Sequence, residues 1–556
     1  MDASEITKQV ESKEKEEGFD TRNARMDNDF DLWNLVAGIY EDTIRTKTKE
    51  HATDIEITSN KPRTFCDGVQ AILSSADMQI MVRMAEAEGE DKRSDIGKLE
   101  RLFNFALEKG DERLRRLLLP PLREQLIWYS LVRGWVAGRF LVYKDGNDVI
   151  FDFFPLDPRW LTYEVGADGF LWVAYKTFRS RDALADEYTV TEKSFLTREE
   201  KEKPFHAAKK HDNPVIDYWK YEGKGKIGNA VVCDRTFLKE LEIHDLPSMP
   251  ILVMPVTTRP PIANSSGTSQ LEGYGESIFA PIRGVNAIRN RFVSMVATHA
   301  KLMAQQALIN YRTPQGIDLT TTSNVPGGVM NLPMNENRLE QSPMKEISPT
   351  VIGMLEWLNS QIEDGTLPDI RMGTPPQSGT LQNLLQEAGN RVFNPQLRNL
   401  NYFYADICRL IEEQLLVTKS KVRVQTEEKR KYYETQVTSI DLKRPHIIKV
   451  EFTARTPWTQ MDTAQIAQML KSLGLPDGWI WENILKVQDP KGLADLAAIE
   501  LFEHSPKGAM KRAVEALIET RGDIMAAQSL VRDMDRLEAQ EQMAMEPEAP
   551  QIGGGI

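Results

Sequence analysis

The stretch from Gly273 to Gly365 constrains this chain most, because it sets two helical patterns on either side of a segment that cannot be helix. Its first part, "GYGESIFAPIRGVNAIRNRFVSMVATHAKLMAQQ", places Ile278, Ile282, Val285, Ile288, Phe292, Val296 and Met303 at helical spacing, with Arg283, Arg289, Arg291 and Lys301 between them. A helix from about 277 to 306 would be roughly 45 Å long. The residues from 307 to 348 then carry short apolar pieces among Pro, Gly, Asn and Thr, which predicts a small β-containing insert. A second helix follows, with Ser348 as N-cap, Pro349 at its first position and Gly365 at its end. Val351, Leu355, Leu358 and Ile362 form its apolar face. Two helices flanking a compact insert predict a stalk with a tip.

At 556 residues the chain is too long for one ordinary core. Upstream of the stalk, "DIGKLERLFNFALEKG" sets Leu99, Leu102, Phe103, Ala106 and Leu107 on one helical face before a glycine stop. "LREQLIWYSLVRGWVAGRFLVYKDG" passes from helix to strand, and "VIFDFFPLDPRWLTYEVGADGFLWVAYKT" reads as an antiparallel hairpin around "VGADG". "VIDYWKYEG" and "AVVCDRTFLKELEI" add strands, and the basic, glycine-rich "EGKGKIGN" between them is a hairpin turn. "LPSMPILVMPVTTRPP" is extended and punctuated by proline. After the stalk, Leu381 to Ile411 keep helical spacing to about Val417, interrupted by Gly389 and Pro395, which predicts a kinked helix of roughly 55 Å. "KVRVQTEEKRKYYETQVTSI" and "HIIKVEFTARTP" are strands expected to join the first region's sheet, since two strands alone are marginal. Helical, amphipathic sequence then runs from Trp458 to about Met543. The first 29 residues, rich in charge and poor in large apolar side chains, predict a mobile arm with order beginning at Leu32 and Trp33, and residues 546–556 predict a tail.

Sixty-nine basic against 82 acidic residues give a net charge of −13, which excludes a tight basic groove for nucleic acid but allows a loose enclosure of it. Cys66, Cys233 and Cys408 stand far apart with no CxxC or Cys/His pairing, so neither a disulfide framework nor a zinc site is expected. No HExxH, GxSxG or HxE signature occurs, and no cofactor or metal is implied. No run of about 18 apolar residues occurs, so neither a membrane span nor a secretion signal is expected.

One loop needs weighing by itself. "DIRMGTPPQSGTLQNLLQEAGNRVF" is rich in glycine and proline and runs into a helix, as anion sites do. The nucleotide-binding spacing is GxxxxGK[ST]; here Gly373 and Gly379 are six apart, and Thr380 stands where lysine should. The bland reading is a surface loop with a helix cap.

In this order the parts resemble a tailed-bacteriophage portal protein, over residues from about 60 to 540. The stretches that carry the resemblance are "FCDGVQAILS", "GYGESIFAPIRGVNAIRNRF", the insert and its second helix, "LPDIRMGTPPQSGTLQNLLQEA" and "VEFTARTP", with Pro368-Asp369 followed by Ser378-Gly379 the most telling. The resemblance implies an α+β subunit: a mixed α/β wing at 30–272 and 418–457, a two-helix stem at 273–306 and 349–365, and a small α/β clip at 307–348. A tunnel loop at 366–379, a long kinked helix at 380–417 and an all-α crown at 458–545 complete it. It further implies a homo-oligomeric ring of about twelve subunits at one capsid vertex of the virion, assembled in the host cytoplasm. Double-stranded DNA would pass through this ring during packaging and ejection. The large terminase subunit, the major capsid or scaffolding protein and a tail adaptor would be its partners.

Under that resemblance Arg371, Met372, Gly373, Thr374, Pro375, Pro376, Gln377, Ser378 and Gly379 line the channel, with no catalytic residue. A loop touching a moving polyanion must bind weakly, because every phosphate neutralised adds affinity that slows passage. One arginine beside Met372, Thr374 and two prolines suits that need. The residues leave three roles open for Arg283, Arg289, Arg291 and Lys301: DNA contact, subunit pairing or a solvated face. Gly389 and Pro395 are a bend or a packing feature. Two other readings stay open: another virion head or tail component, and a nucleotide-dependent enzyme using residues 373–380.

Overall fold

The computed structural model describes residues 2–35, 55–84, 91–180, 213–256, 274–366 and 394–453, less short interruptions, with isolated pieces elsewhere. The chain divides into two compact units, Met1–Ala454 and Arg455–Ile556.

The expected mobile arm is two helices, α1 (Ala3–Glu14) and α2 (Glu17–Trp33). Asp2 opens α1 with a capping box completed by Glu5. The few apolar side chains are well placed: Ile6 and Val10, one turn apart, are buried against Trp172, Tyr218, Ala230 and Val232. Composition misleads here because the charged residues are engaged. Arg22, 1% exposed, lies over the rings of Phe19, Trp135 and Tyr163 at 4.6, 5.6 and 5.8 Å, and donates to the Leu161 carbonyl at 2.7 Å. Burial pulls its guanidinium down to about 10.

Next come α3 (Lys61–Ser75), β1 (Asp77–Met84), α4 (Asp91–Arg116), α5 (Leu122–Val132), β2 (Trp135–Asp145) and β3 (Asp148–Pro155). Gly110 does not stop α4; a Cβ there would fall 2.5 Å from the Phe153 ring, so the glycine permits close helix-on-strand packing. β4 (Leu161–Gly166), β5 (Gly169–Arg179), β6 (Asn213–Gly223), β7 (Lys226–Cys233) and β8 (Thr236–His244) form a five-stranded antiparallel meander. Its hairpins fall where "VGADG" and "EGKGK" predict them. β9 (Ile251–Pro255) returns to pair with β2, giving the order β3-β2-β9.

The stalk follows: α6 (Arg283–Ala304), the strands β10 (Leu308–Arg312), β11 (Val329–Pro333) and β12 (Arg338–Gln341), then α7 (Pro349–Gly365). Ser348 caps α7 as expected, accepting from the Thr350 amide. The first helix starts at Arg283 rather than near 277, because Pro281 disfavours helix at the residue before it. The tip is a sheet of order β11-β10-β12 with β10 and β11 parallel, and its described residues hold no helix, against the α/β expectation.

α8 (Asn394–Thr418) crosses the main core, burying Leu400, Phe403, Ile407, Ile411 and Leu415. Beyond the end of β9, Gln414 finishes the edge of β2: its Oε1 accepts from the Val142 amide at 2.7 Å and its Nε2 donates to the Phe140 carbonyl at 2.8 Å. β13 (Val422–Glu428) and β14 (Lys431–Val437) pair only with each other among the described residues; Val422, Val424 and Val437 sink into the same core and stabilise a hairpin that would be marginal alone. After α9 (Ser439–Leu442), β15 (His446–Thr453) does rejoin the first region, antiparallel to β1. In the second unit the described residues include a helical run over 466–472, and the remainder of the expected crown lies outside the described residues.

Candidate functional site

The stalk is rooted where two glycines cross. Gly134 and Gly275 adopt φ of +71° and +72°; a Cβ on the first would lie 2.3 Å from the Gly275 carbonyl oxygen, and one on the second 2.1 Å from Trp135 Nε1. "RGW" and "GYGES" thus bring two backbones into contact, and the amide of Ile278 donates to the Leu131 carbonyl at 2.9 Å beside them. α2 binds this joint. Arg25 donates to the carbonyls of Tyr274 at 2.9 Å and Gly275 at 3.1 Å. Asp29, 1% exposed, takes a bidentate pair from Arg283 at 2.7 and 2.8 Å, and Glu276 accepts from the same guanidinium at 3.0 Å. Burial works against the Arg283 charge, but the hydrogen bonds and charges of Asp29 and Glu276 outweigh it and hold the group above its ordinary range.

Above the root, α6 inverts the usual pattern. Its buried stripe is polar: Asn286, Asn290 and Ser294 are at most 3% exposed. An extended segment at residues 55–59 lies along that stripe. The amides of Ile55, Ile57 and Ser59 donate to Thr298 Oγ1, Ser294 Oγ and Asn290 Oδ1 at 2.9, 2.9 and 3.1 Å. Alternate residues of the extended segment meet every fourth residue of the helix. Ser59 leads directly into α3, so the stalk is fastened to the core.

Ile288, expected on the buried face, is 48% exposed, and Met295 is exposed with it. α7 lies antiparallel beside α6, since Arg289 Nε donates to Asn359 Oδ1 at 2.6 Å while Gly365 abuts Ile282. Leu358 and Ile362 are buried as expected, but Ile352, Met354 and Trp357 are exposed. At the tip Ile317, Met330, Met334 and Leu339 are exposed as well.

Of the four stalk cations, Arg283 is engaged within the chain and Arg289 is tied to Asn359, with burial lowering its pKa. Arg291 is exposed on α6 and Lys301 lies half-buried in its last turn. The residues expected to line a channel, Arg371 to Gly379, lie outside the described residues, as does Gly389; Pro395 is the second described residue of α8. Cys66, Cys233 and Cys408 are buried, and burial pushes the thiols of Cys66, to about 12, and of Cys408 up. Among the described residues no His, Cys, Asp and Glu cluster could hold a metal, and no helix is long and apolar enough to cross a membrane. Sequence reasoning missed Asp29, Gly275 and the polar ladder. The ladder's signal is the i, i+4 series Asn286, Asn290, Ser294, Thr298. No protein-family model matches the chain, and no curated protein matches it significantly.

Proposed function

We propose that the protein is a portal-type ring subunit, a homo-oligomer of about twelve copies enclosing a channel for double-stranded DNA at one vertex of a virion. The observation that supports it is the inverted stalk helix: α6 uses Asn290, Ser294 and Thr298 of its polar stripe to hold residues 55–59 and turns Ile288 and Met295 outward, where stalks of neighbouring copies would cover them. This falls where the order of parts puts the stem of such a subunit. The net charge of −13 suits a channel that repels phosphates and lets them pass. Residues 371–379 are the channel loop, with Arg371 its single cation. The chain supplies no catalysis in this reading; ATP hydrolysis belongs to the large terminase subunit, and the tip is where terminase and later a tail adaptor dock. Negative-stain images of the purified full-length protein test this: closed rings with a central hole are the expected result, and monomers or open filaments overturn it.

A further inference from the structure

β15 carries the chain from the first unit towards the second, and its first side chain is held against α8. The His446 imidazole is 2% exposed, with Nδ1 2.7 Å from the Arg444 carbonyl oxygen. A carbonyl only accepts, so Nδ1 carries a hydrogen, and in the neutral ring Nε2 is then a bare lone pair. Nε2 is closed off from water and lies 3.3 Å from Oε2 of Glu412, whose side chain is 19% exposed. An ionised carboxylate also only accepts. Two acceptors facing each other away from water would both go unsatisfied, so the pair needs one proton between them, on Nε2 or on the carboxyl.

Among the described residues no other group hydrogen-bonds Nε2. Glu413, next on α8, accepts from the Ser248 hydroxyl, and Arg409 one turn earlier pairs with Asp406 at 2.8 Å. α9 brings Asp441, which accepts from the Thr438 amide and hydroxyl at 2.8 Å each. Lys443 and Arg444, between α9 and β15, are exposed. β2 and β9 bond α8 at neutral side chains, Gln414 and Asn399. β1 sets Met84 opposite His446, whereas Arg83, Lys449 and Glu451 belong with Ile447 to the other face of the sheet. Burial raises the Glu412 carboxyl above its ordinary range; His446 opposes this and Glu413 adds to it.

We propose that one proton shared by His446 and Glu412 clasps the start of β15 to α8, so that a rise in pH frees this strand while the rest of the first unit stays folded. When the strand opens, both groups meet water, where a histidine gives up its proton at about pH 6.5 and a glutamate is already ionised. Above that pH the closed clasp holds one proton more than the open one, so closure weakens as the pH rises, by up to about tenfold per unit. Below it the clasp has its full strength. It works within a single chain, whether or not copies assemble.

The test is hydrogen exchange of the full-length protein, read by mass spectrometry from about pH 6 to about pH 8 and corrected for the chemical pH dependence of exchange. Protection over residues 446–450 is expected to fall by up to about tenfold per unit above about pH 6.5, while the amides of β6 and β7 keep theirs. Glu412→Gln keeps the size of the side chain, and its amide can donate to the bare Nε2 of a neutral ring. It is expected to flatten the slope and to leave β15 better protected than wild type at the alkaline end. His446→Gln, whose amide can donate to Glu412, is expected to flatten it too and serves if the first variant does not fold. Wild-type protection at β15 that ignores pH overturns the clasp. A slope that survives in both variants belongs to another group and overturns it as well, and a parallel loss at β6 and β7 shows that no local release occurs.

Discussion

The root of the stalk and the stalk itself solve burial in opposite ways. At the root every charge that leaves water finds a partner of the same chain: Asp29 meets Arg283, Arg25 meets two carbonyls, and Arg133 donates to the Met26 carbonyl and to Asp157 at 2.8 Å each. Aromatic rings fill the remaining space, Trp135 standing edge-on to Tyr274 at 5.6 Å. On the stalk the polar stripe of α6 is buried with Leu358 and Ile362 of α7, but Ile288, Met295, Ile352, Met354 and Trp357 stay in water. The root pairs its buried charges within the single chain, and the stalk leaves apolar side chains exposed. Stability of the protomer should therefore depend on the first region, and association on the second.

The comparison fails most visibly if Asp29→Ala is tolerated. That change leaves Arg283 partly desolvated with Glu276 alone, and should destabilise the protomer by about 3 kcal/mol in a denaturant titration. A loss under 1 kcal/mol would mean the root is not what fixes the stalk. Asn290→Ala should act more locally, costing about 1–3 kcal/mol by stranding the Ser59 amide. Hydrogen exchange at Ser59 and Ile57 should rise while amides of β6 and β7 keep their protection; a uniform rise would erase the distinction between the regions. Trp357→Ser should change protomer stability least, within about 0.5 kcal/mol, as surface substitutions do. The same variant should weaken self-association measurably in sedimentation. A drop in protomer stability would place Trp357 in the chain's own core instead.

Much of the first unit was legible because local chemistry fixes local form. Ser348 and Pro349 announce α7, and Asp145-Gly146, "VGADG" and "EGKGK" mark hairpins that form as read. What escaped depends on distant partners. "DMQIMVRM" alternates too briefly to stand out between helices, yet as β1 it buries Ile80 and Val82 by pairing with β15 at the far end of the unit. α1 and α2 look solvated until the meander supplies a floor for Ile6 and Val10 and a cage for Arg22. The face of α6 escaped for a different reason: apolar periodicity locates a helix but is silent on which side its own chain takes when another side is reserved. The loop at 371–379 had the most telling sequence and lies outside the described residues, so its part rests on its neighbours.

The ladder between residues 55–59 and α6 has a mechanical consequence. Two residues of extended chain advance about 6.6 Å and four residues of helix about 6.0 Å, so successive rungs drift by only about 0.6 Å. The three bonds can therefore be nearly equal in length, as their 2.9, 2.9 and 3.1 Å show. A force directed along the helix axis would strain them simultaneously, as in a lap joint under shear, instead of peeling them one by one. The same drift, a vernier between two pitches, limits how many rungs such a joint can have. It is strong in the one direction in which a stalk would be pulled.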